Sequence, residues 1–282
     1  MCLICKGESL ENLIELGVCK NVSEIPELPQ SLKEFYCYNC PLLTTLPELP
    51  QSLTCLYCRR CPLTTLPELP QSLMQLDCRG CNLLTRLPKL PQSLTHFDCS
   101  ECPLTTLPEL PQSLTQLDCV RCPLLTTLPK LPQSLMYFKY CDCPLLATLP
   151  ELPQSLTHFD CSNCPLLATL PELPQSLIHL YCFNCPLLTT LPELPQSLIN
   201  LECEGCTGLV FMPDSALKYI SFELLETITN NYLKWRQQKV YNFFSSKTGI
   251  IYEELIRKTW HPSRMVDWCW DIEEVKWFKT LK

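Results

Sequence analysis

The segment LTQLDCVRCPLLTTLPKLPQS, residues 114–134, is one copy of a unit that recurs nine times between Leu32 and Cys206 of this 282-residue chain. Its most constant part is the tetrapeptide Pro-Gln-Ser-Leu. The nine copies begin at Pro29, Pro50, Pro70, Pro91, Pro111, Pro132, Pro153, Pro174 and Pro195. They lie 20 or 21 residues apart, and the two shorter units lack one leucine after Cys-Pro, which indicates a turn there. A fixed period of this size predicts a solenoid, in which units bury their apolar faces only by stacking.

Each unit contains one short strand followed by an extended return. Leu117 and Cys119 are apolar residues with the period of two that is typical of a strand. Pro123, Pro129 and Pro132 exclude a helix from the rest of the unit and cannot donate to a sheet ladder. We therefore expect a parallel sheet with one strand per unit and a polyproline-like or turn-like segment on the other side.

The nearly constant positions, here called the repeat frame, resemble the leucine-rich repeat signature L-x-x-L-x-L-x-x-[NC]-x-L. In the third unit, the matching positions are Leu73, Leu76, Cys78 and Cys81. The Leu-Pro-x-Leu-Pro element is similar to the short repeats of bacterial type III effectors. It is also similar to the FNIP-like repeats of amoebae and giant DNA viruses, although their F-N-x-P-I element is absent.

This resemblance covers about residues 9–210. It implies a leucine-rich repeat solenoid with a concave parallel β-sheet and an extended convex side, which functions as a protein–protein interaction module. We divide the chain into a degenerate N-terminal repeat at 1–28, the solenoid at 29–206 and a small α-helical C-terminal cap or tail at 207–282.

Charge and hydropathy exclude several classes of partner. Residues 1–206 contain 11 basic and 20 acidic residues, and such an acidic region is unsuited to nucleic acid. No run of 18 apolar residues predicts a membrane span, and the apolar run at residues 1–6 is too short to predict a signal peptide. We expect the protein to function in a reducing intracellular compartment, namely the cytoplasm, which could be the cytoplasm of a host cell. We expect its partner to be a protein. No cofactor is implied.

Eight Cys-x-x-Cys pairs lie in the repeat frame, and they allow two interpretations. Paired thiols could form a zinc-binding array, or both cysteines could be core residues, since free cysteine is a commonly buried residue type. Tyr140 replaces the first cysteine in the sixth unit. We place Leu16 in the same position of the degenerate repeat, with Cys19 as its second cysteine. Because tyrosine and leucine are not zinc thiolates, the core interpretation is favoured, and the zinc array stays a remote alternative.

The variable positions flank the inward-facing strand residues and should point outward from the concave sheet. Aromatic, imidazole and carboxylate groups there are typical of protein recognition. The candidate binding residues are Tyr36, Tyr57, Asp77, His96, Asp98, Asp118, Tyr137, His158, Asp160, His179 and Tyr181. A metal or acid–base site is a weaker reading of the same histidines and aspartates. We find no enzyme motif, and we expect no catalytic residue and no metal ligand among them.

The sequence of the C-terminal tail predicts helices. Asp214 can cap a helix that continues through Ile228, and a second helix-like segment spans 232–244. The first of these helices is expected to cover the open end of the solenoid. All five tryptophans lie in the tail, which favours a compact unit over a linker.

Two functional alternatives involve this tail. It could dock on a ubiquitin-ligase or other scaffold while the repeats select the client, as in a substrate-recruiting adaptor. Cys269 and Asp271 have the Cys-x-Asp spacing of the ubiquitin-ligase domain of effectors, but 76 residues are too few for that domain.

At the N-terminal end, we identify no clear amphipathic cap, so we expect the first sheet edge to favour self-association.

Overall fold

The computed structural model describes residues 2–216, 218–219 and 221–245. They form a solenoid whose ten strands build one parallel sheet in chain order, as predicted. The strands are β1 (Glu15–Val18), β2 (Glu34–Cys37), β3 (Cys55–Tyr57), β4 (Gln75–Asp77), β5 (His96–Asp98), β6 (Gln116–Asp118), β7 (Tyr137–Lys139), β8 (His158–Asp160), β9 (His179–Tyr181) and β10 (Asn200–Glu202). A short helix, α1 (Leu3–Lys6), precedes them, and a 3-10 helix (Asp214–Ala216) and helix α2 (Phe222–Ser245) follow them.

The strands pair without any shift of register, so equivalent residues of successive units lie side by side. Phe97 of β5 pairs with Leu117 of β6, for example, and both side chains are buried. The stacking brings the rings of Phe138 and Phe159 to 5.6 Å between centroids. A single apolar core therefore runs along the whole solenoid, and no unit has a core of its own.

The in-frame cysteines are core residues, which confirms the favoured interpretation. Their side chains are at most 2% exposed. The second cysteine of each unit also directs its thiol at the backbone carbonyl of the first-cysteine position in the preceding unit. The distance from the sulfur to the carbonyl oxygen is 2.9 Å from Cys61 to Cys37 and 3.1 Å from Cys102 to Cys78. Because the thiol donates this hydrogen bond, it stays protonated, and burial raises the pKa of the second cysteine Cys164 to about 12.

The placement of the first, degenerate repeat differs from our prediction. Leu16 pairs with Phe35, and Val18 pairs with Cys37. Val18, and not Leu16, therefore occupies the first-cysteine position, and Cys19 lies outside the repeat frame. The prediction aligned Cys19 with the second cysteines, whereas strand alternation buries Leu16 and Val18 and sets the register two residues later.

The Pro-Gln-Ser-Leu element forms a turn that ties each unit to the one before it. Within the turn, the Leu114 amide donates to the Pro111 carbonyl at 3.1 Å. If each unit is counted from its Pro-Gln-Ser-Leu element, the Ser113 hydroxyl donates to the Leu94 carbonyl of the preceding unit at 2.6 Å. All nine serines of this element make the equivalent bond, at 2.6–2.8 Å. This role explains why serine is constant there, since a buried carbonyl without a donor is costly.

The C-terminal helices begin and end differently from our prediction. Asp214 begins a 3-10 turn of three residues, and one helix, α2, replaces the two predicted helical segments. The Ser221 hydroxyl accepts a hydrogen bond from the Leu224 amide at 3.2 Å and so caps α2. The prediction chose Asp214 because it is a good cap residue, but Ser221 performs that function.

Helix α2 packs against the last repeats through one face. Leu224 and Ile228 are buried and belong to the solenoid core. The Asn231 amide donates to the carbonyls of Thr207 and Leu209 at 2.6 and 2.9 Å. The end of the solenoid is thus covered where the stack of units stops.

No helix within the described part of the chain is long and apolar enough to cross a membrane. The sequence also predicts helical segments at 250–259 and 263–278, and these lie outside the described residues, as do Cys269 and four of the five tryptophans.

We predict that Ser113→Ala lowers the free energy of unfolding by about 1 kcal/mol, because the Leu94 carbonyl loses its donor. Urea denaturation followed by circular dichroism measures the effect. The matched control is Thr127→Ala, an exposed hydroxyl of the same unit, which should change stability by less than about 0.5 kcal/mol. Equal losses in the two variants would contradict the proposed role of the serine.

Candidate functional site

The concave face presents two columns of side chains, one on each side of the buried strand centres. The register places Tyr137, His158 and His179 next to one another in one column. It places Asp77, Asp98 and Asp118 next to one another in the second column. All eleven candidate binding residues lie on the concave strands, on a surface that the structure divides into three regions.

The first region is a cluster of tyrosines near the N-terminus. Tyr36 and Tyr57 stack in parallel with centroids 5.0 Å apart, and Tyr38 contacts both rings edge-on. The Arg59 guanidinium lies over the Tyr38 and Tyr57 rings, at 5.3 and 5.8 Å from their centroids. Tyr36 also hydrogen-bonds to Glu34 in its own strand. Sequence reasoning missed Tyr38 and Arg59 because they follow the strand and lie outside the two columns.

The second region is the row of aspartates, which is not a bare acidic surface. The Arg59 Nε lies 2.5 Å from the Asp77 carboxylate. Arg79 lies 3.8 Å from Asp77 and 3.7 Å from Asp98. Asp118 accepts a hydrogen bond at 2.6 Å from the side chain of Gln116 in its own strand. The arginines that neutralise Asp77 and Asp98 follow the strands and lie outside the two columns, so strand alternation does not reveal them.

Two of these carboxylates also hold the backbone of the following turn. Asp77 accepts a hydrogen bond from the Arg79 amide at 3.2 Å, and Asp98 accepts one from the Ser100 amide at 2.9 Å. Burial and the neighbouring Asp98 raise the pKa of Asp77, against the opposing effect of Arg79 and Arg59. Burial likewise raises the pKa of Asp118. The aspartates are therefore partly structural, and Asp77 is only 7% exposed.

The third region, here called the Tyr/His row, consists of Tyr137, His158, His179 and Tyr181. The Tyr137 and His158 rings stack at 4.4 Å, and the His158 and His179 rings lie 4.5 Å apart. His179 is parallel to Tyr181 at 6.3 Å. Tyr137 is exposed, and the other three side chains are half-buried. The row is a continuous ring surface across three consecutive strands.

The imidazoles of this row differ in their hydrogen bonds. His158 Nδ1 contacts the Thr157 hydroxyl at 2.9 Å, whereas His179 Nδ1 is buried and has no hydrogen-bond partner within the protein. Burial lowers the pKa of His158, and the neighbouring His179 and Lys139 lower it further. At neutral pH, His158 is therefore uncharged, and the rings stack without charge repulsion.

The geometry gives no support to a metal site on the concave face. His96 lies two strands away from Tyr137, and its Nδ1 contacts the Thr95 hydroxyl at 2.8 Å. Among the residues that the structure describes, one group of three or more potential ligands lies within 4.8 Å of one another, and it is Cys2, Cys5 and Cys19. These thiols lie in the N-terminal segment and were not among the predicted site residues.

Comparison with known proteins concerns the repeats. A family model for the leucine-rich repeat matches residues 155–177. No curated protein matches the chain. Among solved structures, YopM from Yersinia enterocolitica is similar, with 31% identity over 73% of this chain and 52% of YopM, at a TM-score of 0.48. The leucine-rich repeat domain of a Shigella effector shows 34% identity over 49% of this chain and 62% of that domain, at a TM-score of 0.45.

The matched segment is a single unit, and its pattern recurs in register throughout the sheet. The chain therefore has the fold of a leucine-rich repeat solenoid, and its repeats are similar to those of effector proteins of Yersinia and Shigella. It spans about half the length of the YopM chain, 52%, so the resemblance concerns the repeats and not the whole of that protein. The leucine-rich repeat fold is a general protein-interaction module.

We predict that Asp77→Ala destabilises the protein by about 1–3 kcal/mol, because the Arg59 guanidinium and the Arg79 amide lose a shared acceptor. Glu202→Ala is the matched control, since Glu202 is an exposed carboxylate at the far end of the same column. Its effect should stay below about 0.5 kcal/mol. Urea titration of both variants checks the comparison, and an unaffected Asp77 variant would show that this carboxylate has no structural role.

Proposed function

We propose that the protein binds a partner protein through the concave face of its repeats, with the Tyr/His row as the principal contact. The stack of Tyr137, His158 and His179 across β7, β8 and β9 carries this proposal. Aromatic side chains in partly desolvated positions contribute strongly to protein interfaces. The stacked rings are already held by their neighbours, so little rotamer freedom would be lost on binding.

The charges around the row indicate the kind of partner. Lys139 and Asp160 lie beside it in the second column, where the register pairs them with each other. The repeats as a whole are acidic, with 11 basic and 20 acidic residues over residues 1–206. A partner with an apolar or aromatic centre and a mixed or basic rim would complement this surface. The in-frame thiols are unpaired, and the second thiol of each unit donates to a core carbonyl, an arrangement suited to a reducing compartment.

We propose the adaptor function as a second candidate, supported by an exposed aromatic group at the end of the solenoid. Phe211 contacts Tyr232 and Trp235 edge-on, at 5.6 and 4.9 Å between centroids. Phe211, Trp235 and the nearby Leu233 are each more than one third exposed.

If this end binds a scaffold, Leu233→Asp in the full chain should remove a set of partners that variants of the Tyr/His row retain.

We predict that the double variant Tyr137→Ala and His158→Ala weakens partner binding about tenfold or more, because it removes the centre of the ring stack. Affinity purification under reducing conditions identifies partners, and titration calorimetry with the purified partner measures the dissociation constant. The matched control is Leu124→Ala with Leu145→Ala, two exposed leucines outside the strands of the concave sheet. A partner that binds both variants with parental affinity would count against the concave face.

We predict that partner binding weakens as the pH falls from about 7.5 to about 5.5, because protonation places positive charge between His179 and Lys139. The pKa of His158 is lower in the folded chain than its ordinary value of 6.5, so the unfolded chain binds a proton more readily. The contribution of neutral His158 to folding stability is therefore retained above pH 6.5 and lost as the pH falls through the folded-state pKa. His158→Gln should reduce the pH dependence of binding, and His96→Gln should leave it unchanged. The same pH dependence in all three proteins would refute the role of His158.

A further inference from the structure

Three cysteines outside the repeat frame converge at the N-terminal end of the solenoid. Cys2 and Cys5 form a Cys-x-x-Cys pair at the start of α1, and Cys19 directly follows β1. The register of the first repeat explains why Cys19 is available. Val18 and not Cys19 enters the core beside Cys37, so the Cys19 thiol is free to face α1. We call Cys2, Cys5 and Cys19 the thiol cluster.

The geometry of the thiol cluster suits a thiolate-binding metal ion. All three sulfur atoms lie within 4.8 Å of one another, and Cys5 Sγ lies 3.2 Å from Cys19 Sγ. A tetrahedral zinc ion with bonds of about 2.3 Å separates its sulfur ligands by roughly 3.8 Å, which is within this range. The three residues are half-buried, whereas the in-frame cysteines are closed off in the core.

The local polar groups favour a thiolate here and not in the core. The backbone amides of Cys2 and Asn21, followed by the Cys5 thiol, lower the pKa of Cys19 to about 6. The hydrogen bond with Cys19 raises the pKa of Cys5 to about 11, as expected when one proton is shared between two neighbouring thiols. Burial raises the pKa of the core cysteines Cys119 and Cys161 instead. A cation that replaces the thiol protons would balance the negative charge of the resulting thiolates.

We propose that Cys2, Cys5 and Cys19 bind one Zn²⁺ ion, which clamps α1 against the first strand of the solenoid. The ion takes three thiolates, displaces their protons to solvent and has a fourth position open to water at the half-exposed side. Cys40 is the neighbouring thiol of the core, but its sulfur is directed at the carbonyls of Val18 and Cys19, at 3.7 and 3.6 Å, and stays in the repeat frame.

The clamp would serve the end of the solenoid where the parallel sheet starts. Helix α1 has a single turn and contains no fully buried residue, so its own packing contributes little to holding it in place. Its half-buried residues nevertheless contact the core beside β1. A metal bond between the two segments would hold this cover in place, at an edge that otherwise offers unpaired backbone groups to other chains.

The test uses the full chain purified with reductant, loaded with zinc and freed of excess metal. Elemental analysis should find one zinc per chain, and Co²⁺ substitution should give the charge-transfer and visible bands of a tetrahedral thiolate site. The double variant Cys2→Ser and Cys19→Ser should lose the zinc and these bands. The matched control, Cys55→Ser with Cys141→Ser, removes two half-buried thiols elsewhere and should retain both.

A second measurement is independent of how well the variants fold. Removal of zinc from the parent chain with a chelator should speed amide hydrogen exchange at Glu15–Val18 and leave exchange at His96–Asp98 unchanged. The proposal is overturned by a parent chain with no stoichiometric zinc, by zinc that persists in the Cys2/Cys19 variant, or by equal effects of the chelator on both strands. A Cys5–Cys19 disulfide in the chain kept under reductant would also overturn it.

Discussion

The structure depends on hydrogen bonds that run from the side chains of one unit to the backbone of the unit before it. Each strand contains only three or four residues, and a unit cannot satisfy its own carbonyl groups. Serines of the Pro-Gln-Ser-Leu turn supply donors at one corner of the unit, and the second in-frame cysteines supply donors at another. Both contacts need the neighbouring unit at one fixed offset, which is why the sheet pairs without any shift of register.

This constraint separates the residues that specify the fold from those that are free to specify a function. Leucine, cysteine and serine positions contact the preceding or following unit and tolerate few substitutions. Residues on either side of the strand centres point away from the core and are free to vary. Since the register aligns equivalent positions, the identities of the residues there decide which contacts form within each column. The same column contains an ion pair where Asp77 meets Arg59, and a pair of stacked rings where Tyr36 meets Tyr57.

A stack of this kind has two ends, and each end needs a contact that the repeat does not provide. At the C-terminal end, α2 places Leu224 and Ile228 into the core and donates from Asn231 to two carbonyls. At the N-terminal end, α1 is a single turn and is too short to do the same by packing. The thiol cluster lies between that turn and the end of the first strand, and its three cysteines lie outside the repeat frame.

The amino-acid sequence is sufficient to predict the solenoid, the single strand per unit and the core position of the in-frame cysteines. These features recur nine times, and one local pattern, repeated at a fixed offset, leaves no other way to bury the leucines. It also identified the outward columns, because strand alternation is a local property. Which of those residues have partners depends on the three-dimensional packing, since Arg59 and Arg79 reach Asp77 from positions after the strand. It also decided the register of the first repeat, the extent of α2 and the meeting of Cys2, Cys5 and Cys19. These features occur once, at the ends or between units, so no periodicity encodes them and only the three-dimensional packing brings the groups together.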